Sequence, residues 1–492
     1  MTAEDLDAET ITGKTGRMSA DLPPPHGVLS AKYFWVSVGM CALIMLAAFE
    51  ALAVTTIMPK VSHELNGASL YAFAFAGPLA VSVVGMVLAG AWPDRGGPRN
   101  ALFASVGFFV VGLLIAGTAQ NMGLFVTGRL VHGLGGGALT VALYVIVARV
   151  YPPVLHARIF AGFAAAWVIP SLIGPLIAGL LAESVGWRWV FLGVVALVVL
   201  SLIMVVPAMR GVRTPEASAD RPPWNIRRIG WAVLVAVAVL TLNLAAEARG
   251  PIQWIAPVVA VAVALFALRP LLPVRTLRAG RGLPSVILLR AVVAGTFFAA
   301  EVYVPYLLVK EYGLSASLAG LALTAAGLSW ATASWVQGRF PGITHRTAAL
   351  VGAIGLSIAI GSLIAMAAFG LPPVVAIIGW AFAGGGMGVL YPRLGVLTLE
   401  YSNVSNQGFN SSALSISDST GSAIALAATA IVFAALSPLG GAWPFAGVFG
   451  VTGLLCVAAF GVGPRILRPA GVPTSGAENP ATASPASPAT PA

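Results

Sequence analysis

Charge is scarce in this 492-residue chain: Asp, Glu, Lys and Arg together make up only 9% of it, against about 25% in an ordinary soluble domain. Acid is scarcer than base, with 17 Asp and Glu against 27 Lys and Arg. Cysteine is nearly missing. The two present, Cys41 and Cys456, both sit inside apolar runs, which leaves no disulfide framework and no thiolate metal site. Acidic clusters of the D-D-x-x-D kind are also absent from the apolar runs, where carboxylates occur singly, and no metal-dependent transferase chemistry is expected. Nor is there a connecting segment long enough for a soluble partner domain.

What is abundant is hydrocarbon. Hydrophobic residues make up 58% of the chain, mean hydropathy is +0.92, and the apolar residues come in blocks long enough to cross a bilayer core of about 30 Å. The blocks place six spans near 34–58, 69–92, 101–119, 123–148, 159–182 and 188–209. Two shorter ones follow at 229–246 and 252–268. Six more lie at 284–309, 316–337, 347–369, 372–392, 411–436 and 443–463. The fold class expected is an all-α polytopic membrane protein of fourteen spans. Its parts are an N-terminal tail (1–33), a six-helix bundle (34–209), a central segment with two extra helices (210–283), a second six-helix bundle (284–464) and a Pro/Ala/Ser/Thr tail (465–492) expected to be disordered.

The net charge of +10 invites a nucleic-acid reading, which the placement of the basic residues rejects. With the N-terminus inside, Lys60, Arg188, Arg249 and Lys310 fall in outer loops and Arg129, Arg290 and Arg393 fall within spans; the other 20 of the 27 Lys and Arg fall on the cytoplasmic side. That bias orients both termini to the cytoplasm. Residues 1–33 are polar and acidic, so no cleavable signal is expected. The preponderance of Arg over Lys, with abundant Ala and Gly, hints at a bacterial genome rich in G and C.

The two bundles are related by a shift of 251 residues. Glu50 falls on Glu301, and "GRLVHGLGGG" (128–137) falls on "GWAFAGGGMG" (379–388) with four of five glycines retained. Duplicated halves with a site between them are a common secondary-transporter plan.

Several motifs carry a family resemblance. "GAWPDRGGPR" (90–99) is similar to the cytoplasmic signature of the major facilitator superfamily through Gly90, Asp94, Arg95, Gly97 and Arg99. Physically it reads as a tight turn whose carboxylate can form a charge latch. Its second-half counterpart, "GRFPGITHR" (338–346), lacks the Asp, so a one-sided latch is expected. "RLVHG" resembles the family's R-x-x-Q-G motif, with Arg129 kept and His132 in place of Gln; the resemblance implies proton transfer at Arg129. "PSLIGPLIAG" (170–179) resembles the antiporter motif through Gly174, Pro175 and Gly179, with Pro175 expected to kink the helix by freeing the Ser171 carbonyl. The fourteen-span drug:proton antiporter branch has an acidic residue in its first span nine residues before a Pro. Glu50 precedes Pro59 by nine, and "WRWVF" (187–191) also resembles that branch.

A carboxylate inside a span is costly to keep charged, at roughly 2.5–3.5 kcal/mol on the milder scales, so Glu50 has physical reason to exchange its proton. Proton-coupling candidates are Glu50, Glu301, Asp418, Arg129 and His132. Arg290, about eleven residues below Glu301, reads as an anchor at the cytoplasmic edge. Phe297, Phe298, Tyr303, Tyr306, Trp330 and Trp335 are candidates for lining an apolar substrate cavity, although aromatics also populate lipid-facing belts.

The resemblance implies a proton-driven exporter of hydrophobic or amphiphilic compounds in the bacterial cytoplasmic membrane, of the multidrug type, working by alternating access. No cofactor, metal or catalytic residue is expected; the partners are the bilayer, protons and a hydrophobic small molecule, and the protein is expected to be monomeric. Export of an endogenous lipid, glycolipid or siderophore would use the same coupling chemistry. A nutrient:proton symporter is disfavoured by the antiporter motif, and a non-transporting scaffold would not require charges inside the membrane.

Overall fold

The computed structural model describes residues 27–67, 70–209, 225–245, 252–314, 316–340 and 342–467. Most of the predicted tails (1–26 and 468–492), and the outer turn of the central pair around Glu247 and Arg249, lie outside the described residues. All regular structure among those described is helical.

The first bundle comprises α1 (Phe34–Glu64), α2 (Tyr71–Ala91), α3 (Pro93–Gly117), α4 (Met122–Val150), α5 (Pro153–Ala165), α6 (Val168–Leu181) and α7 (Arg188–Met209). The central pair is α8 (Ile226–Ala245) and α9 (Ile252–Leu268). The second bundle comprises α10 (Leu283–Lys310), α11 (Ala316–Arg339), α12 (His345–Phe369), α13 (Val374–Glu400), α14 (Gln407–Leu436) and α15 (Trp443–Val462). Helices thus occupy each of the fourteen predicted positions. Ten stretches among the described residues are long and apolar enough to cross a membrane.

The fifth position holds two helices, with a break the sequence motif did not single out. The break falls at Ala166–Trp167, not at Pro175. Pro170 has no N–H to offer the Ala166 carbonyl, so α5 ends there, and Pro170 is tolerated in the first turn of α6. The side chain of Pro175 lies outside the described residues. A π-turn, Ala182–Gly186, then leads into α7.

The 251-residue repeat reappears as packing. On α4, Gly133 and Gly137 press on the α2 backbone at Pro78 and Ser82, while Gly128 and Gly135 press on α3 at Ala116 and Phe109. On α13, Gly384 and Gly388 meet α11 at Ala326 and Trp330, and Gly379 and Gly386 meet α12 at Ser362 and Gly352. Small residues of this kind let helices approach where lipid offers no hydrophobic drive. They hold α4 and α13 each between two neighbours, and so fix which way Arg129 and His132 point.

The two halves meet most tightly at the end bearing the Gly90–Arg99 loop. A Cβ on Gly408 of α14 would collide with the Gly90 carbonyl of α2. On the opposite seam, Gly338 of α11 lies against Ala157, Arg158 and Ala161 of α5, and Gly395 of α13 against the Phe160 ring. There α11 packs chiefly on α5, the loop-end piece of the broken helix, rather than on α6. Gly408→Val is therefore expected to obstruct closure at this end and cut turnover roughly tenfold or more, since overpacking costs about 1–3 kcal/mol. Equal turnover in variant and parent would show that this contact does not recur in the transport cycle.

The central pair does not stand apart from the bundles. Ala232, Val235 and Val239 of α8, with Ala267 and Leu268 of α9, share one buried cluster with Val83 and Val87 of α2 and with Ala413 and Leu414 of α14. Arg228 also lies over the Phe409 ring, at 4.6 Å. The pair therefore lies across the α2–α14 seam and touches both halves.

Candidate functional site

Glu50 sits midway along α1 and is only 3% exposed. Glu50 remains the single carboxylate of its group, but it is not without partners. Arg129, about two turns into α4 and also buried, donates from Nη1 to Glu50 Oε1, and its Nε donates to the Ala74 carbonyl of α2 at 3.3 Å. His132 follows one turn later. Its Nε2 lies 3.3 Å from Glu50 Oε2, within ion-pair range but not aligned as a hydrogen bond, and its Nδ1 is 3.4 Å from Arg129 Nη1. The Phe109 ring covers the imidazole at 4.3 Å between centroids. Glu50, Arg129 and His132 are thus one buried group of three in which a carboxylate is shared between a permanent cation and a titratable ring.

Glu301, at the equivalent place in α10, is left without these companions. The positions corresponding to Arg129 and His132 are Trp380 and Ala383. Trp380 is fully buried and stacks on Phe297 at 5.0 Å.

A second ion pair lies nearer the loop end. Arg290 is only 5% exposed, which corrects its reading as an edge anchor. Its Nε donates to Asp418 Oδ1 at 2.8 Å and its Nη1 to the Tyr391 carbonyl at 3.1 Å. The Tyr391 hydroxyl donates to the same Asp418 oxygen, and the guanidinium lies 3.2 Å above the Tyr391 ring centroid. Arg290, Tyr391 and Asp418 come from α10, α13 and α14. Tyr144 of α4 lies within electrostatic reach of Arg290 from the other half. Sequence reasoning missed Tyr391 and Tyr144, which sit in apolar surroundings and match no motif.

The aromatic candidates divide. Phe297, Phe298 and Trp330 cluster, with Trp380 and Tyr391 joining them. Tyr303 and Tyr306 pack on Phe433, and Tyr306 also on Phe445. Trp335 is 66% exposed and joins neither group. The side chains of Asp94 and Arg95 lie outside the described residues. Of the rest of that motif, Gly97 adopts φ +76°, a conformation that favours glycine, and exposed Arg99 lies over Phe103. In the antiporter motif, buried Gly174 faces the Phe49 ring, one residue from Glu50; Gly179 is half-buried. The WRWVF stretch closes the other end of the first bundle. Trp187 Nε1 donates to Glu64 Oε2 at 2.8 Å, and Arg188, 3.6 Å from the same carboxylate, lies over the Trp187 ring. No group of three or more His, Cys, Asp or Glu among the described residues could hold a metal ion.

Residues 40–426 match the description of the Major Facilitator Superfamily. The chain belongs to that superfamily. Among its superfamily relatives, multidrug resistance protein 3 of Bacillus subtilis is 25% identical over 320 residues, spanning 62% of this chain and 61% of that protein. This chain therefore spans less than two thirds of that relative's length. A probable multidrug-efflux transporter of Mycobacterium tuberculosis is 28% identical over 391 residues, covering 76% of this chain and 81% of its own. The fold likeness extends to solved superfamily structures. The human organic anion transporter MFSD10 superposes with a TM-score of 0.61 at 16% identity, over 87% of this chain and 99% of that one. The proton:xylose symporter XylE gives 0.59 at 15%, over 88% and 96%.

Proposed function

We propose that this protein is a proton-coupled exporter of hydrophobic or amphiphilic solutes, working by alternating access in the cytoplasmic membrane of a bacterium. Both termini and the Gly90–Arg99 loop face the cytoplasm, and the conformation described here is the one closed on that side. The observation that carries the reading is the buried group of Glu50, Arg129 and His132. A carboxylate held between an arginine and an imidazole on a facing helix has two states that differ in how it is tied to them. Protonated, it releases Arg129; ionised, it binds it. Each proton that arrives or leaves then changes how α1 is tied to α4.

Glu301 and Asp418 are further proton sites on this reading, and the α10 aromatics supply apolar contact for the solute. The multidrug-efflux names carried by the bacterial relatives support export over uptake. The test is transport in proteoliposomes with an imposed pH gradient, screened against lipophilic cations, neutral drugs and lipids. Accumulation of at least one class that collapses when a protonophore dissipates the gradient is the expected result. Transport that persists unchanged without the gradient would exclude proton coupling.

A further inference from the structure

An indole N–H is a donor only, and burying it without an acceptor forfeits the hydrogen bond that water would have made. Trp187 avoids that loss by donating to Glu64. Trp330 of α11 and Trp380 of α13 do not: the Nε1 atom of each is buried with no acceptor. The two belong to one cluster. Phe297 meets Trp330 edge-on at 5.1 Å and stacks on Trp380 at 5.0 Å, and Trp330 meets Tyr391 at 5.3 Å. Their helices are pinned beside both rings. Ser329 Oγ donates to the Ala381 carbonyl at 2.6 Å, and Ser334 Oγ, about one turn on, donates to the Gly388 carbonyl at 3.0 Å. A fixed frame thus holds two donors with nothing to receive them. We propose that the aromatic cluster of α10, α11 and α13 is a solute site whose two indole N–H groups select a neutral aromatic compound bearing a carbonyl oxygen. The proposal rests on the export reading and narrows its solute class.

The chemistry of the lining defines that class. Both unpaired polar atoms are donors, so the ligand must bring the acceptor. The ring faces and edges around them suit a flat aromatic frame. An anionic acceptor is disfavoured, because the nearest cation is already engaged: Arg290 donates to Asp418 and to the Tyr391 carbonyl. Glu301, one turn beyond Phe297 and Phe298 on α10, would repel a carboxylate whenever it is ionised. A neutral carbonyl oxygen has two lone pairs and can accept from either indole or from both. A lipophilic cation that carries no oxygen would leave both donors unpaired.

The repeat shows that the first half has no such site. Leu46, Ala47 and Leu79 stand where the second half has Phe297, Phe298 and Trp330, and Arg129 stands where it has Trp380. Arg129 directs its donors to Glu50 and to the Ala74 carbonyl. At the same place in the second half, Trp380 offers one donor and Glu301 does not take it. Trp380 is fully buried in this conformation, and the site is shut. Phe298 and Trp330 are half-buried and bring the cluster to the surface. A ligand therefore enters by displacing the Phe298 ring.

The experiment compares 9-fluorenone with fluorene, which has the same ring frame without the carbonyl oxygen. Binding of each tritiated compound to the full chain in lipid nanodiscs is read by scintillation proximity, with empty nanodiscs subtracted. The parent is expected to bind fluorenone roughly tenfold more tightly, the worth of one hydrogen bond to a buried donor. Replacing Trp330 or Trp380 by benzothienylalanine exchanges the N–H for sulfur at nearly constant shape; Trp330→Phe and Trp380→Phe are the second pair of variants. At least one of the two positions should lose the preference several-fold while fluorene affinity is unchanged, which also reports an intact fold. If the parent binds both compounds equally, binds neither, or keeps its preference in every variant, the proposal is overturned. Binding is read without a gradient, so that failure would leave the export reading to its own test.

Discussion

Glu50→Gln is expected to abolish gradient-driven accumulation and to lower stability by about 3–5 kcal/mol, the usual cost of leaving a buried charge without its partner. The stability loss follows from the geometry: Arg129, almost fully buried, would keep only the Ala74 carbonyl and a neutral amide. The two effects are separable. Neutralising both partners, as Glu50→Gln with Arg129→Gln, removes the stranded cation, and most of the stability should return. Transport should not return, because the group that takes up and releases the proton is gone. Thermal unfolding in detergent reads the first effect and uptake into proteoliposomes the second. Parental gradient-driven transport in Glu50→Gln would remove the coupling role.

Asp418→Asn is expected to have the next largest effect. It strands Arg290 beneath the Tyr391 ring, and turnover should drop by roughly tenfold or more with a stability loss toward the lower end of the same 3–5 kcal/mol range, since the Asp418 side chain is 25% exposed. Arg290→Met with Asp418→Leu replaces the pair by hydrocarbon of similar volume, which is often neutral or stabilising. If this double variant is stable yet fails to transport, the pair belongs to the cycle. If it transports with normal proton coupling, the pair is a packing device and Asp418 is not a proton site.

These expectations depend on pairings of which the sequence showed only one partner at a time. The helices themselves were legible because hydropathy over about twenty residues is a strong signal, and the repeat was legible because glycine and intramembrane acid are both informative by position. Glu50, Arg129 and His132 could each be named, since a charged or titratable residue inside a span is conspicuous. Their meeting could not be read, because it depends on the rotation of α4, which is set by the glycines pressed on α2 and α3. Arg290 was misread because its distance from the end of its own helix suggests an anchor, while its partner lies 128 residues on. The break in the fifth position was not legible because Pro170 and Pro175 both lie in it, and only the backbone shows that α5 ends at Ala165.

The place of α8 and α9 bears on how the two halves could move. The halves meet along two seams, one at α2 and α14, the other where α5 and α6 face α11. The central pair covers the loop-end part of the first with apolar contact to both sides. Any shift of one half against the other must therefore carry or slide these two helices at the first seam, while the second, among the described residues, has no such third body to move.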